Sequence, residues 1–261
     1  MTQKMTQELL DLNSDSLPTS TAHQSRLQLS QPTRRPKMLT RTIETPWGSG
    51  VVVGKYGQAH VDFVEAIFRN TEKKRRSEDG GIEIIVDPYR VRMTAGGDKK
   101  ISWQQMQTLK LDVMQVVIDL RGNAFNRPIT GHIIDQITES KVKAPTTRLE
   151  RLGGIGERWM WYVKLGPAFV RFIDEDLRLY YDPTNIAALH TGIAQAVARH
   201  VATHKNQPLG GWKVDELIKS VGAGATSKSL WERRRELQED EEGLKALGLT
   251  VENGRLKREN D

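Results

Sequence analysis

Two short stretches carry the side chains best suited to chemistry. Lys228, Trp231, Arg233, Arg234, Arg235 and Gln238 fall within one, and Lys99, Lys100, Gln104, Gln105 and Thr108 within the other. Arginine can grip guanine O6 and N7 through two hydrogen bonds, and glutamine can do the same for adenine. Set along a helix, such residues suit the major groove of duplex DNA. At about 100° per residue, Leu230, Leu237 and Leu244 line one stripe, which must face a core. The opposite face holds Lys228, Trp231, Arg235, Gln238 and Glu239, with Arg234 on its flank and Arg233 nearer the leucines. The competing account is a solvated charged helix with internal Glu–Arg pairs. Glu232, Glu236 and the acidic run 239–242 speak for it. The same run predicts that the second half of the helix tilts out of the groove, because carboxylates repel phosphates.

Other basic groups surround these stretches. Arg255, Lys257 and Arg258 follow an Asn-Gly turn, where they would lie on the DNA backbone and add affinity without base choice; a frayed basic end is the alternative. Arg34 and Arg35, with Lys37 and Arg41, form a cluster that either rests on phosphates or is a solvated linker. The run 69–76 has five positive residues against one negative. It reads as a helix end complementing the macrodipole, or as a loop gripping phosphate. The polar face of the segment from Ser102 is amide-rich, which fits DNA contact or an ordinary surface.

Enzyme chemistry finds little here. With no cysteine, disulfides, thiol nucleophiles and thiolate metal sites are excluded. The string GVVVGK at 50–55 fails as a phosphate loop at both ends, because Ser49 and Tyr56 stand where glycine spacing and a hydroxyl are needed. Neither GxSxG nor HExxH occurs. His200 and His204 are spaced one helical turn apart but have no third ligand beside them. The expectation is a non-enzyme with no metal and no cofactor. Trp159, Trp161 and Tyr162 read as core packing plus a dimer surface.

The elements that would position these residues can be read from periodicity. A glycine-flanked strand covers 47–57, and an apolar-faced helix starts at Gln58 and runs to Gly80. A short strand at 82–86, a helical turn at 89–94 and a helix over 102–114 follow. Ser102 and Gln105 fit a capping box. Strands at 116–120, 129–142 and 158–165 predict an antiparallel sheet of two or three strands, with a glycine loop at 153–156 before the last. A short helix at 168–173 and an extended link at 179–181 close the first half. Ile186, Leu189, Ile193, Val197 and Val201 predict one helix up to about His204. Helices over 212–221 and 229–246 come next, the latter capped by Ser229 with Glu232. A hairpin turns at Asn253-Gly254. Three helices and a hairpin are the winged-helix order, and the first half has a comparable one.

The chain has 261 residues, 39 basic and 33 acidic, for a net charge of +6. A basic balance favours a polyanionic partner. No apolar run reaches the roughly 20 residues that a membrane span needs, and the polar N-terminal stretch lacks an apolar signal core, so a cytoplasmic protein is expected. The Ser-, Thr-, Gln- and Pro-rich start reads as a disordered arm. The expected fold class is α+β: a disordered basic arm (1–44), a first winged-helix domain (45–178) and a second (179–261) that carries the recognition helix and wing.

The C-terminal half resembles the iteron-binding replication initiators of bacterial plasmids, the Rep family with its TrfA-type double winged-helix proteins. The strings that carry the resemblance are WYVKLGPAFVRFI at 161–173, LYYDPT at 179–184 and IAQAVARHVATH at 193–204. KVDEL at 213–217, WERRRELQ at 231–238 and ALGLTV at 246–251 complete it. It covers residues 102–258 in order, and its specificity lies in that order rather than in any single motif. The resemblance implies two winged-helix units and a C-terminal helix that reads direct repeats in an origin through Lys228, Arg233, Arg234 and Arg235. It implies a first unit that touches phosphate or an adjacent groove and supports a homodimer, with double-stranded DNA and host replication proteins such as a helicase as partners. Repression of the chain's own promoter and plasmid copy control also follow from it. A winged-helix transcriptional repressor and a winged-helix protein-interaction module are the alternatives.

Overall fold

The computed structural model describes residues 6–8, 17–122, 125, 127–143 and 159–259. In chain order the first elements are β1 (Thr6–Glu8), β2 (Ser20–Thr21), α1 (Ala22–Arg26), β3 (Leu39–Thr45), β4 (Gly48–Gly54), α2 (Gln58–Arg69), β5 (Thr71–Arg76) and β6 (Ile82–Val86). Next come α3 (Pro88–Thr94), α4 (Trp103–Met114), β7 (Val117–Gly122), β8 (Ile129–His132), β9 (Ile134–Lys143), β10 (Trp159–Leu165), α5 (Pro167–Glu175) and β11 (Arg178–Tyr180). The last are α6 (Pro183–Ala187), α7 (Gly192–Ala202), β12 (Trp212–Lys213), α8 (Val214–Ser220), α9 (Ser227–Glu239), α10 (Glu241–Ala246), β13 (Leu249–Glu252) and β14 (Arg255–Arg258). The glycine loop expected at 153–156 lies outside the described residues.

The chain runs twice through one connectivity. In the first pass α2 leads to β6, α3, α4, β9 and β10, and the sheet order is β5-β6-β10-β9. In the second, α7 leads to β12, α8, α9, β13 and β14, with sheet order β12-β14-β13. Each time the strand before the two short helices pairs with the last strand of the hairpin, which is the winged-helix arrangement. The fold is therefore α+β with two winged-helix units. Each unit has its own apolar cluster. One gathers residues from Leu17 to Ile173, including Phe63, Phe68, Phe169 and Phe172. The other gathers residues from Ile186 to Leu256.

Local chemistry explains the helix limits. Ser102 Oγ accepts from the Gln105 amide while Gln105 Oε1 accepts from Ser102 N, as the sequence predicts. Asn253 and Gly254 have φ of 50° and 71°, the left-handed pair that a two-residue hairpin turn requires. In the second unit the box forms one turn earlier than expected: Thr226, not Ser229, is the N-cap, and Ser229 is its partner. Thr226 precedes the helix with extended backbone, whereas Ser229 is already helical.

Four expectations are corrected. The helix from Gln58 stops at Arg69, and 71–76 is an edge strand paired with β6. After Phe68 no apolar side chain remains to hold a helical face on the core. As an edge strand, the five exposed residues 72–76 point charge at solvent and discourage further pairing. The sheet of the first half is really two. β7 and β8 join β3 and β4 in a separate four-stranded sheet, while β9 and β10 belong to the winged-helix sheet. The helix expected through residue 204 is broken into α6 and α7, and the one over 229–246 into α9 and α10. The Asp240 carboxylate joins both breaks. It accepts from His190 N at 2.7 Å and from Thr191 N and Thr191 Oγ1 at 2.6 Å.

The fourth correction concerns the disordered arm. Residues 17–44 are packed against the rest of the chain. Leu17, Leu27 and Leu29 are buried in the first core, and β3 forms a seven-residue ladder with β4. The segment then crosses to the second unit. Arg26 donates to Thr203 O at 2.6 Å, and Gln28 to Ser220 O at 3.0 Å. Thr33 lies so close to the start of α7 that a Cβ on Gly192 would fall 2.3 Å from its Cα. A few apolar side chains, Leu17, Ala22, Leu27 and Leu29, among polar residues suffice for this strap, and no helical or strand periodicity betrays it.

Candidate nucleic-acid interface

In each unit the outer face of the second short helix is open to solvent. α9 turns Leu237 fully inward. Lys228, Trp231, Arg235 and Gln238 are exposed on the opposite side, Trp231 by 58%. The Arg235 guanidinium sits 5.4 Å above the Trp231 ring and 3.6 Å from Glu239. Both partners are exposed, so the charge is screened rather than neutralised. Arg233 turns toward the helix flank and donates to Glu236 at 2.6 and 2.8 Å. Arg234 is held by Asp215 of α8 through two hydrogen bonds, and the guanidinium keeps that carboxyl below the usual carboxylate range. Of the three arginines, Arg235 has the loosest tether.

The acidic run 239–242 sits differently from its expected place along α9. Asp240 is buried as the helix cap, and Glu241 and Glu242 begin α10, where carboxylates favour a helix N-terminus. They lie beyond the end of α9, so the expected tilt of its second half loses most of its cause.

The wing residues divide. Lys257 pairs with Glu252 at 2.9 Å near the turn. Arg255 donates to Gly211 O at 3.0 Å. Arg258 donates to Val201 O and His204 O at 2.6 Å and stacks 5.3 Å over Trp212. Arg258 thus fastens the hairpin to α7, which corrects its expected place on a wing tip; strand pairing with Leu249 sets it at the base of the hairpin instead. Arg34 is likewise no phosphate arm. It donates to Ala187 O at 3.1 Å and Leu189 O at 2.8 Å, satisfying carbonyls where α6 ends. Arg35 beside it is exposed.

In the first unit Lys99, Lys100, Gln104 and Thr108 are exposed, and the Gln105 amide is occupied by the capping box. Counting from the two N-caps, Ser102 and Thr226, aligns the helices. Buried Met106 and Val113 fall at the positions of Leu230 and Leu237. On the outer face Gln104 matches Lys228, Gln107 matches Trp231 and Leu111 matches Arg235. Gln107 and Leu111 are therefore candidates that the sequence reading passed over. The signal was available, since Ser102 and Thr226 are both hydroxyl residues from which the two helices keep the same spacing of apolar positions.

His200 and His204 lie with ring centres 5.0 Å apart beneath Trp47 and Trp212. Burial, with His204 and Arg26 nearby, drives the His200 pKa down to about 4. No group of three or more potential metal ligands occurs among the described residues. No described helix is long and apolar enough to cross a membrane.

No family model and no curated protein matches the chain. Among solved structures, the crystal structure of domains 2 and 3 of RctB is similar to 92% of this chain and 96% of that one, with a TM-score of 0.54. Sequence identity is 12%, so the likeness is one of fold, and it extends across both winged-helix units.

Proposed function

We propose that this protein is a sequence-specific DNA-binding initiator of plasmid replication, which binds direct repeats at an origin through α9 and, beside it, α4. The observation that carries the reading is the paired outer faces of α4 and α9, set at equal offsets from equivalent caps on two copies of one DNA-binding topology. The sequence resemblance to the Rep initiators supplies the role, and a fold shared over nearly the whole length with domains 2 and 3 of RctB supports it. On this reading the chain is not an enzyme. It acts in the cytoplasm through its two winged-helix units, recruits host replication proteins to the origin, exchanges between monomer and homodimer, and represses its own promoter.

The test is a salt-titrated binding assay with duplex DNA flanking the gene, against unrelated duplex as competitor. Competitor-resistant binding to an array of direct repeats beside an A·T-rich stretch is the expected result. Specific binding to a single inverted repeat would replace initiation with the repressor reading. Affinity for no duplex, or affinity unchanged up to about 0.2 M salt, would favour a protein-interaction module, since six or more phosphate contacts weaken binding by roughly a thousandfold over that range.

A further inference from the structure

The outer face of α4 carries no charge. Gln104, Gln107, Thr108, Leu111 and Gln115 are all exposed, Leu111 by 55%. At 3.6 residues per turn they fall within roughly 100° of the helix circumference, a single stripe along its whole length. The rim of the stripe is positive. Lys99 and Lys100 stand exposed beside Asp98 in the turn before α4, and Arg90, 3.6 Å from Glu72, lies on the neighbouring α3. Arg92 of α3 stacks 4.8 Å over Trp103 at the start of α4, and Lys110 lies on its flank, 5.4 Å over Trp161. The nearest carboxylate on the helix, Asp112, is engaged by Lys55 at 2.9 Å and His60 at 3.1 Å. At the matching positions α9 is charged instead, with Lys228 and Arg235 on the stripe beside Glu232 and Glu239.

An uncharged floor between cationic edges fits duplex DNA, whose charge lies along the groove walls and whose base edges are neutral. Base chemistry narrows the choice. A glutamine carboxamide presents a donor and an acceptor in one plane, matching adenine N6 and N7. Leucine and threonine methyl groups pack against the thymine C5 methyl. The stripe has no cation to chelate guanine O6 and N7. We infer that α4 reads A·T base pairs in the major groove, with Gln104 and Gln107 on adenine and Thr108 and Leu111 on thymine methyl groups, next to a guanine-containing segment read by α9. This rests on the DNA-reading role proposed above and names the bases that its first unit selects.

The experiment uses the full chain and sites selected from a random-sequence duplex library. Binding is then measured on duplexes carrying 7-deazaadenine for adenine or deoxyuridine for thymidine, one block at a time, for the wild type, Gln107→Ala, Leu111→Ala and Arg235→Ala. All three substituted side chains are exposed, so the variants should keep the fold, which circular dichroism checks. The selected sites should contain an A·T block. Loss of adenine N7 there should weaken the wild type on the order of tenfold for each glutamine contact, and Gln107→Ala by less than the wild type, because only Gln104 still reads adenine. Loss of the thymine methyl should cost about fourfold for each methyl contact, and Leu111→Ala should lose less than the wild type, because only Thr108 still packs on thymine. Arg235→Ala should keep both sensitivities while losing discrimination in the other block. If Gln107→Ala and Leu111→Ala bind every site as the wild type does while Arg235→Ala weakens, α4 is not the reader, although the DNA-binding role stands. If the library yields no preferred sequence, the DNA-reading role itself falls, and this inference with it.

Discussion

Thr191 and Asp240 set the start of one helix and the end of another through a single contact. The Thr191 hydroxyl donates to the Asp240 carboxylate at 2.6 Å while accepting from Ala194 N as the cap of α7. Asp240 itself closes α9 and opens α10. The contact fixes the start of the central helix of the second unit against the end of the helix proposed to read DNA.

Replacing Asp240 with alanine removes three hydrogen bonds to a buried carboxylate. We expect a loss of about 3 kcal/mol, since two main-chain N–H groups are left without acceptors. Urea unfolding of Asp240→Ala measures it. A midpoint equal to the wild type would show that the break forms without the carboxylate.

The two units are tied by a buried ion cluster. Arg199, 3% exposed, donates to Asp62 at 2.6 Å and to Glu65 at 2.7 and 3.0 Å, with Gln58 at 2.8 Å. Burial opposes the charge on Arg199, yet Glu65 and Asp62 hold its pKa well above the ordinary arginine value. Arg199→Met should cost about 3–5 kcal/mol, because two buried carboxylates lose their cation. Adding Asp62→Asn and Glu65→Gln to the same chain should recover much of that loss. Denaturant midpoints of the single and triple variants decide it.

Stability should fall as the solution is acidified from neutrality. The folded His200 pKa is about 4, against about 6.5 in the unfolded chain, so only the unfolded state takes up the proton in between. The stabilisation is complete above pH ~6.5, declines below it and is gone by pH ~4. At pH 5 this group alone should cost roughly 2 kcal/mol. His60 and His204, also lowered by burial, act in the same sense. His200→Phe should flatten the difference between pH 7 and pH 5 in urea unfolding; an unchanged slope would contradict the assignment.

Cations on the outer face of α9 and cations built into the fold should separate cleanly by phenotype. Lys228→Ala and Arg235→Ala should each weaken DNA binding and lower the salt dependence of log K by about one, with unfolding unchanged. Arg258→Ala and Arg34→Ala should instead lower stability by about 1.5–3 kcal/mol each, as charged donors to buried carbonyls are lost. Paired salt titrations and thermal melts test the division. An Arg258 variant with native stability and weakened DNA binding would reverse it.

Legibility in the sequence followed the range of the interaction. The Ser102–Gln105 box, the Asn253-Gly254 turn and the inward stripe of Leu230 and Leu237 depend on neighbours a few residues away, and all were readable. The order of the main helices and of each closing hairpin followed from them, but not strands β5 and β12, which were read as helix. The breaks at 188–191 and at Asp240 were invisible because each is stabilised by the other, about fifty residues away. Segment 71–76 misled because a charged edge strand shows no apolar alternation. Among the site residues, Arg235, Lys228, Trp231 and Gln238 stand exposed where the helical wheel put them. The engagement of Arg234 with Asp215, and of Arg34 and Arg258 with main-chain carbonyls, depends on packing that a wheel does not contain.

The strap formed by the N-terminal segment also dictates an order of events at the ribosome. Gln28 bonds to Ser220, 192 residues further along. At a translation rate of roughly 5–20 residues per second, the acceptor emerges about 10–40 s after the donor. The first unit can close its own core before then, but Arg26, Gln28 and Arg34 have no second unit to grasp until the chain through Ser220 has emerged. The segment 17–44 is thus seated on the second unit only after the first unit has closed, and the relative placement of α4 and α9 is fixed at that later step.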